Sequence, residues 1–108
     1  MQSDVEEINI EKAVELVNSD KSIFVWIGGP TDTPLAELLK IDDRKVVDAN
    51  PFDLLSNDTY PKQLLSYKKP IFVCHHGLAS YELLRELTKN NVGGYSLEGG
   101  IAAIRNRA

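Results

Sequence analysis

The chain of 108 residues is long enough to bury one hydrophobic core and too short for two, so a single domain over residues 1–108 is expected. With 43% hydrophobic and 26% charged residues the composition is that of a globular protein, which excludes a disordered chain. A formal net charge of −4 without any dense Lys/Arg stripe excludes nucleic acid and an anionic membrane surface as partners.

From the N-terminus, residues 1–7 read as a loose acidic lead. Asn9 then caps a helix whose Ala13, Val14 and Val17 share one face, and Asn18-Ser19-Asp20 ends it. The run at residues 23–27 is a fully buried strand, broken by Gly28-Gly29-Pro30. Thr33 is placed to cap a short helix over residues 34–39 with Pro34 at its first position, and residues 45–48 form the next strand. Asn50-Pro51 turns the chain, Phe52, Leu54 and Leu55 make a short apolar patch, and residues 60–67 a second short helix. Residues 70–73 are a strand that ends at Cys74, and Ser80 reads as the cap of an amphipathic helix over residues 81–90. Gly93-Gly94 closes that helix, residues 95–97 form the last strand, Gly99-Gly100 turns, and residues 101–106 are a terminal helix with Arg105 and Arg107 near its negative end. Short β-branched or aromatic runs alternating with helical patterns predict an α/β fold with a parallel sheet covered by helices.

No apolar run exceeds residues 23–27, far short of a bilayer span, and residues 1–7 lack the charge and apolar stretch of a secretory signal. A cytoplasmic location is therefore expected, and the single cysteine, unable to form an internal disulfide, fits a reducing compartment.

Cys74 is the residue type and position that points to chemistry. An isolated cysteine is commonly a buried core residue. This one leaves a buried strand into a tight loop that opens a helix, where unpaired N–H groups and the helix dipole favour the thiolate. In an open parallel sheet, ligands bind beyond the carboxyl ends of the strands, and Cys74 lies just past such an end.

Two motifs at these positions carry a resemblance. The first is a cysteine with a glycine three residues later and a serine at the far end of the loop: Cys74, Gly77 and Ser80. The second is Tyr95-Ser96-Leu97-Glu98-Gly99-Gly100-Ile101-Ala102-Ala103. Together they resemble the single-domain rhodaneses, the thiosulfate sulfurtransferases, and Ala49-Asn50-Pro51 is similar to a turn of that family. The resemblance implies a three-layer fold: a central, mainly parallel five-stranded sheet with helices on both faces. It implies Cys74 as nucleophile, within a substrate-binding loop of His75, His76, Gly77, Leu78, Ala79 and Ser80. By the same resemblance, Cys74 takes a sulfane sulfur as a persulfide from thiosulfate or a protein persulfide and passes it to a thiol or cyanide, without a cofactor; a metal site is not expected, since the adjacent Cys74, His75 and His76 seldom point at one ion and no partner pair stands at ligand spacing.

The chain also departs from that pattern. Where the family carries Asp-x-Arg after the early buried strand, this sequence has Trp26-Ile27-Gly28, and where active members place loop arginines it has His75 and Ala79. Lys68 and Lys69 precede the cysteine strand and fall roughly 13 Å or more from Cys74 at the rise of an extended chain. A loop without a fixed cation predicts weak use of thiosulfate or another donor, with His75 and His76 lending partial positive charge at mildly acid pH, unless both are simply solvated. A catalytically weak binding or regulatory module is the alternative. A cysteine phosphatase is disfavoured because the position six residues after the cysteine, where it needs an arginine, is Ser80. Trp26 reads as core, with a change in packing beneath the loop, and Glu98 as a turn or solvent-facing residue.

Overall fold

In a computed structural model, residues 5–106 are described; the first four residues of the acidic lead, and Arg107, lie outside them. Five strands form one sheet: β1 (Glu7–Ile8), β2 (Phe24–Trp26), β3 (Val46–Asp48), β4 (Ile71–Val73) and β5 (Tyr95–Leu97). All pair in parallel, in the order β1-β5-β4-β2-β3. Such a sheet is covered on both faces, which is why its inner strands β2 and β4 read as unbroken apolar runs.

Alternation along the strands sorts the side chains into two layers. On one face Phe24, Trp26, Ile71, Val73 and Leu97 pack with residues of α1 (Ile10–Asn18), α2 (Leu35–Leu39) and α5 (Gly100–Asn106). On the other, Val25, Val47, Phe72 and Cys74 pack with Leu54 of α3 (Pro51–Leu54) and with Leu83, Leu84 and Leu87 of α4 (Leu78–Lys89). This is the three-layer α/β arrangement that the sequence predicts, and its strands are parallel throughout.

The acidic lead is not loose as far as residue 7. Glu7 opens β1, the Ser96 N–H donates to the Glu6 carbonyl at 2.9 Å, and the Glu98 N–H donates to that of Ile8 at 2.9 Å. A two-residue edge strand has no periodicity to read, and glutamates argue against a strand by propensity.

Asn9 caps α1 as expected, accepting the Lys12 N–H at 2.8 Å. Thr33 does not cap α2. Pro34 occupies the cap position itself without a side-chain bond, and the Thr33 carbonyl accepts the Thr31 hydroxyl instead. Asn50 does more than turn the chain: its side chain accepts the Phe52 N–H at 2.8 Å and so starts α3, which buries Leu54 and leaves Phe52 82% exposed. The helix expected over residues 60–67 is a 3₁₀ turn at Lys62–Ser66, where only Leu64 is buried and a longer helix would have nothing to pack. Residue 45 belongs to a second 3₁₀ turn, so that β3 begins at Val46. The end of α4 falls at Lys89, followed by Asn91 at φ 64°, ahead of Gly93-Gly94. Among the described residues, no helix is long and apolar enough to cross a membrane.

Candidate active site

Trp26 pairs in register with both Asp48 and Val73, so β2, β3 and β4 end level, and Cys74 emerges at that common edge. Its side chain turns toward α4, where it is 3% exposed and belongs to the buried cluster that includes Leu83 and Leu84. The loop coils around the sulfur. The Gly77 N–H donates to Sγ at 3.1 Å and the Ser80 N–H at 3.3 Å, while Ser80 Oγ lies 3.4 Å away.

Gly77 makes the coil possible. It stands at φ 92° immediately before α4, and a Cβ there would meet the Gly99 nitrogen at 2.9 Å. Ser80, expected to cap the helix, lies within its first turn instead. Its hydroxyl is fully buried and faces Sγ, the Gly77 carbonyl at 3.3 Å and Ser96 Oγ at 2.7 Å. The loop is thus shorter than it reads in the sequence, because the backbone of Gly77, with no side-chain cap, is enough to begin the helix.

The Leu-Glu-Gly-Gly turn holds the loop from behind. The Ile101 N–H donates to the Cys74 carbonyl at 2.8 Å and the Ala102 N–H to the His75 carbonyl at 3.0 Å. With these carbonyls bound by the first turn of α5, the loop amides are left to face the sulfur. Glu98, between β5 and that turn, is exposed.

Burial pushes the Cys74 thiol up, but hydrogen bonds from Ser80 Oγ and from the N–H groups of Ser80, Gly77 and His76 outweigh it and hold the thiol below its ordinary value. The alkylation rate with iodoacetamide is therefore expected to rise with pH through a midpoint below that of a free cysteine and to level off above that midpoint. Between the folded and unfolded ionisation points the native state holds fewer protons, so stability rises with pH across that window. This contribution is complete above the unfolded value and lost as pH falls through the folded one. Denaturant midpoints of the protein and of Cys74→Ala, compared across pH 6–10, check the sign.

His75 and His76 both carry exposed side chains, and only that of His75 is engaged with β2 and the turn after it. His75 points to the opposite face from Cys74. Its ring meets Trp26 edge-on, with centroids 5.1 Å apart at 77°, and its Nε2 lies 3.0 Å from the Gly28 carbonyl. The Trp26 indole N–H in turn donates to the Gly29 carbonyl at 2.6 Å, so Trp26 and His75 pin residues 28–29 beside the loop. Trp26 is core at 4% exposure, and its ring packs against His75 of the loop. Leu78 and Ala79 are exposed, Leu78 at 71%. His76, Gly77 and Leu78 border a shallow concavity with Glu7, Tyr81 and Glu82.

Beyond the ends of β2 and β3 lies a cleft of about 630 Å³, lined among others by Trp26, Thr31, Pro34, Asp48, Asn50 and Pro51. Trp26 and Ile27, which touch His75 and the cluster holding Cys74 respectively, set it beside the loop. Lys69 is occupied elsewhere, paired with Glu6 and 5.1 Å over the Tyr95 ring. Among the described residues, no three His, Cys, Asp or Glu side chains converge to hold a metal ion. Sequence reading missed Ser96 as part of this site; a serine between Tyr95 and Leu97 on a buried strand, needing a partner for its hydroxyl, was the available signal.

A parallel sheet in this strand order, with a cysteine loop at the end of its middle strand, is the rhodanese-like fold. Solved structures agree. A rhodanese-related protein from Thermoplasma volcanium is similar at TM-score 0.65 and 17% identity, covering 95% of this chain and 93% of its own. A protein of unknown function from Rhodopseudomonas palustris, described as a possible tyrosine phosphatase, is similar at TM-score 0.70 and 20% identity, covering 95% and 81%. An NAD-dependent persulfide reductase from A. fulgidus is similar at TM-score 0.63 and 23% identity over 92% of this chain, which spans 16% of the reductase. No protein-family model matches the sequence, and neither does any curated protein.

Proposed function

We propose that the chain is a sulfurtransferase or sulfur carrier that holds a persulfide on Cys74. The observation that carries this reading is the ring of donors around Sγ, Gly77 N–H, Ser80 N–H and Ser80 Oγ, which stabilises a sulfur anion without any cationic side chain. The Cys74 thiolate attacks the outer sulfur of a sulfane donor R–S–S⁻. The donor's S–S bond breaks, R–S⁻ leaves and takes a proton from water, and Cys74–S–S⁻ remains. A second nucleophile, a thiolate or cyanide, then attacks the terminal sulfur and releases the Cys74 thiolate.

The cleft beside the loop is the place for the body of donor or acceptor. Asp48 is the charged residue of its lining, which disfavours a dianion such as thiosulfate and favours a persulfide presented by a thiol or a protein. Asp48→Asn is accordingly expected to raise kcat/KM for thiosulfate, a dianion, up to about fivefold, the effect of one exposed charge of up to about 1 kcal/mol, and to raise it less for a singly charged persulfide donor. An equal gain for both donors would reject the charge argument.

The likeness to a possible tyrosine phosphatase does not extend to its chemistry. The residue six positions after Cys74 is Ser80, whose buried hydroxyl gives no bidentate clamp for a phosphoryl group. Intact mass spectrometry tests the proposal. After incubation with thiosulfate, or with a persulfide donor, one added sulfur that cyanide removes is expected. Absence of the adduct with both donors, in folded and reduced protein, would leave a binding module with the rhodanese shape.

A further inference from the structure

We infer that Ser96 is a positioning residue for the Cys74 thiolate, acting through Ser80 as the outer member of a buried hydroxyl relay. Ser96 and Ser80 are both fully buried, their oxygens are 2.7 Å apart, and among the described residues Ser80 is the hydrogen-bond partner of Ser96 Oγ. Ser80 has one hydroxyl proton and three acceptors within reach of it, the Gly77 carbonyl at 3.3 Å, Sγ at 3.4 Å and Ser96 Oγ at 2.7 Å.

With the thiol neutral, S–H donates to Ser80 Oγ and the Ser80 proton goes to Gly77 O or Ser96 Oγ. Once the thiol proton has passed to solvent, Ser80 O–H turns to Sγ. Its oxygen then has no donor except Ser96 O–H, which becomes fixed in that direction. The 2.7 Å contact is the shortest of the chain from Ser96 to sulfur, and donation into Ser80 Oγ strengthens the bond that Ser80 gives to the anion. Ser96 therefore favours the ionised state without touching the sulfur.

Other charges do not account for this path. In the cluster around Cys74, the strands contribute Val25, Val47 and Phe72, the helices Leu54, Leu83, Leu84 and Leu87, and Ile23 and Ile27 flank β2, with Tyr60 and Tyr67 at the rim of the cluster. His75 faces Gly28 on the other side of the sheet, His76 lies with Glu7, Tyr81 and Glu82 at the shallow concavity, and Glu98 is exposed before α5.

The test needs no sulfur donor, so it stands apart from the sulfurtransferase reading and rests only on Cys74 ionising. Thiolate absorbance near 240 nm is titrated in the protein, in Ser96→Ala, and in Ser22→Ala. Ser22 is a buried serine whose hydroxyl donates to the Lys69 carbonyl at 2.8 Å, ahead of the amino end of the sheet. Ser96→Ala is expected to move the midpoint upward, with about threefold to tenfold less thiolate at a pH well below both midpoints. Ser22→Ala should lower the melting temperature and leave the midpoint in place, and Ser96→Thr should restore it. A midpoint unmoved in folded Ser96→Ala overturns the inference. Should that variant not fold, the Ser96 Cβ resonance of the unaltered protein decides: it titrates with the Cys74 midpoint if the relay operates, and does not if Ser96 is only a packing residue.

Discussion

Cys74→Ala is expected to abolish the proposed sulfur uptake and cyanide-dependent turnover, down to the uncatalysed background. Among the described residues, no other cysteine is present to take over, and the neighbouring Ser80 hydroxyl has neither the acidity nor the polarisable atom that sulfur transfer needs. The same substitution also costs stability. It removes the acceptor of the Gly77 and Ser80 N–H groups, which are buried with it. Each donor left without a partner costs about 1–3 kcal/mol unless water enters, so a fall of several degrees in melting temperature at neutral pH is expected. Residual sulfur loading of the variant, or an unchanged melting temperature, contradicts the part played by the cradle.

Gly100→Ala is expected to have a large structural effect. Gly100 lies at φ 61°, and a Cβ there would stand 2.5 Å from the Cys74 carbonyl oxygen, 2.7 Å from the His75 carbonyl carbon and 2.8 Å from the Gly77 nitrogen. All three are backbone atoms that cannot swing aside. Left-handed strain of about 1–2 kcal/mol adds to overpacking of about 1–3 kcal/mol. For a domain of ordinary stability this lowers the melting temperature by about 10–30 °C. Folded protein recovered at low temperature should also have lost the low ionisation point of Cys74, because the loop must lift away from α5. Calorimetry with a thiolate titration measures both effects, and an intact cradle in this variant would show that the Gly-Gly turn does not brace the loop.

What the sequence shows of this molecule follows from how local each signal is. Residues 23–27 and 70–73 declare buried strands by themselves, and the alternation of such runs with helices is enough for a parallel α/β sheet. Asn9 announces its helix because a cap bond spans only three residues. Cys74, Gly77 and Ser80 are legible as a loop because they are close in the chain. β1 is not legible, since it exists only through pairing with β5, nearly ninety residues away. Thr33 and Ser80 are misread as caps for a different reason: a cap residue type is recognised by composition, while tertiary contacts decide where its hydroxyl goes. The Trp26–His75 and Ser80–Ser96 contacts join residues 49 and 16 positions apart, and only the sheet brings them together.

The strand alternation that turns Cys74 toward α4 and His75 toward Trp26 sets two adjacent residues on opposite sides of the sheet. Reactivity and access thereby belong to different cores. The sulfur's hydrogen-bond partners lie on the α4 side, in Ser80 with Ser96 behind it, while the cleft lined by Trp26 and Leu35, the proposed place for the body of a donor, lies on the α2 side. Under the proposed function, substitutions in the Trp26 layer are expected to alter donor choice and leave the ionisation of Cys74 in place, because the two depend on side chains packed on separate sides of the sheet.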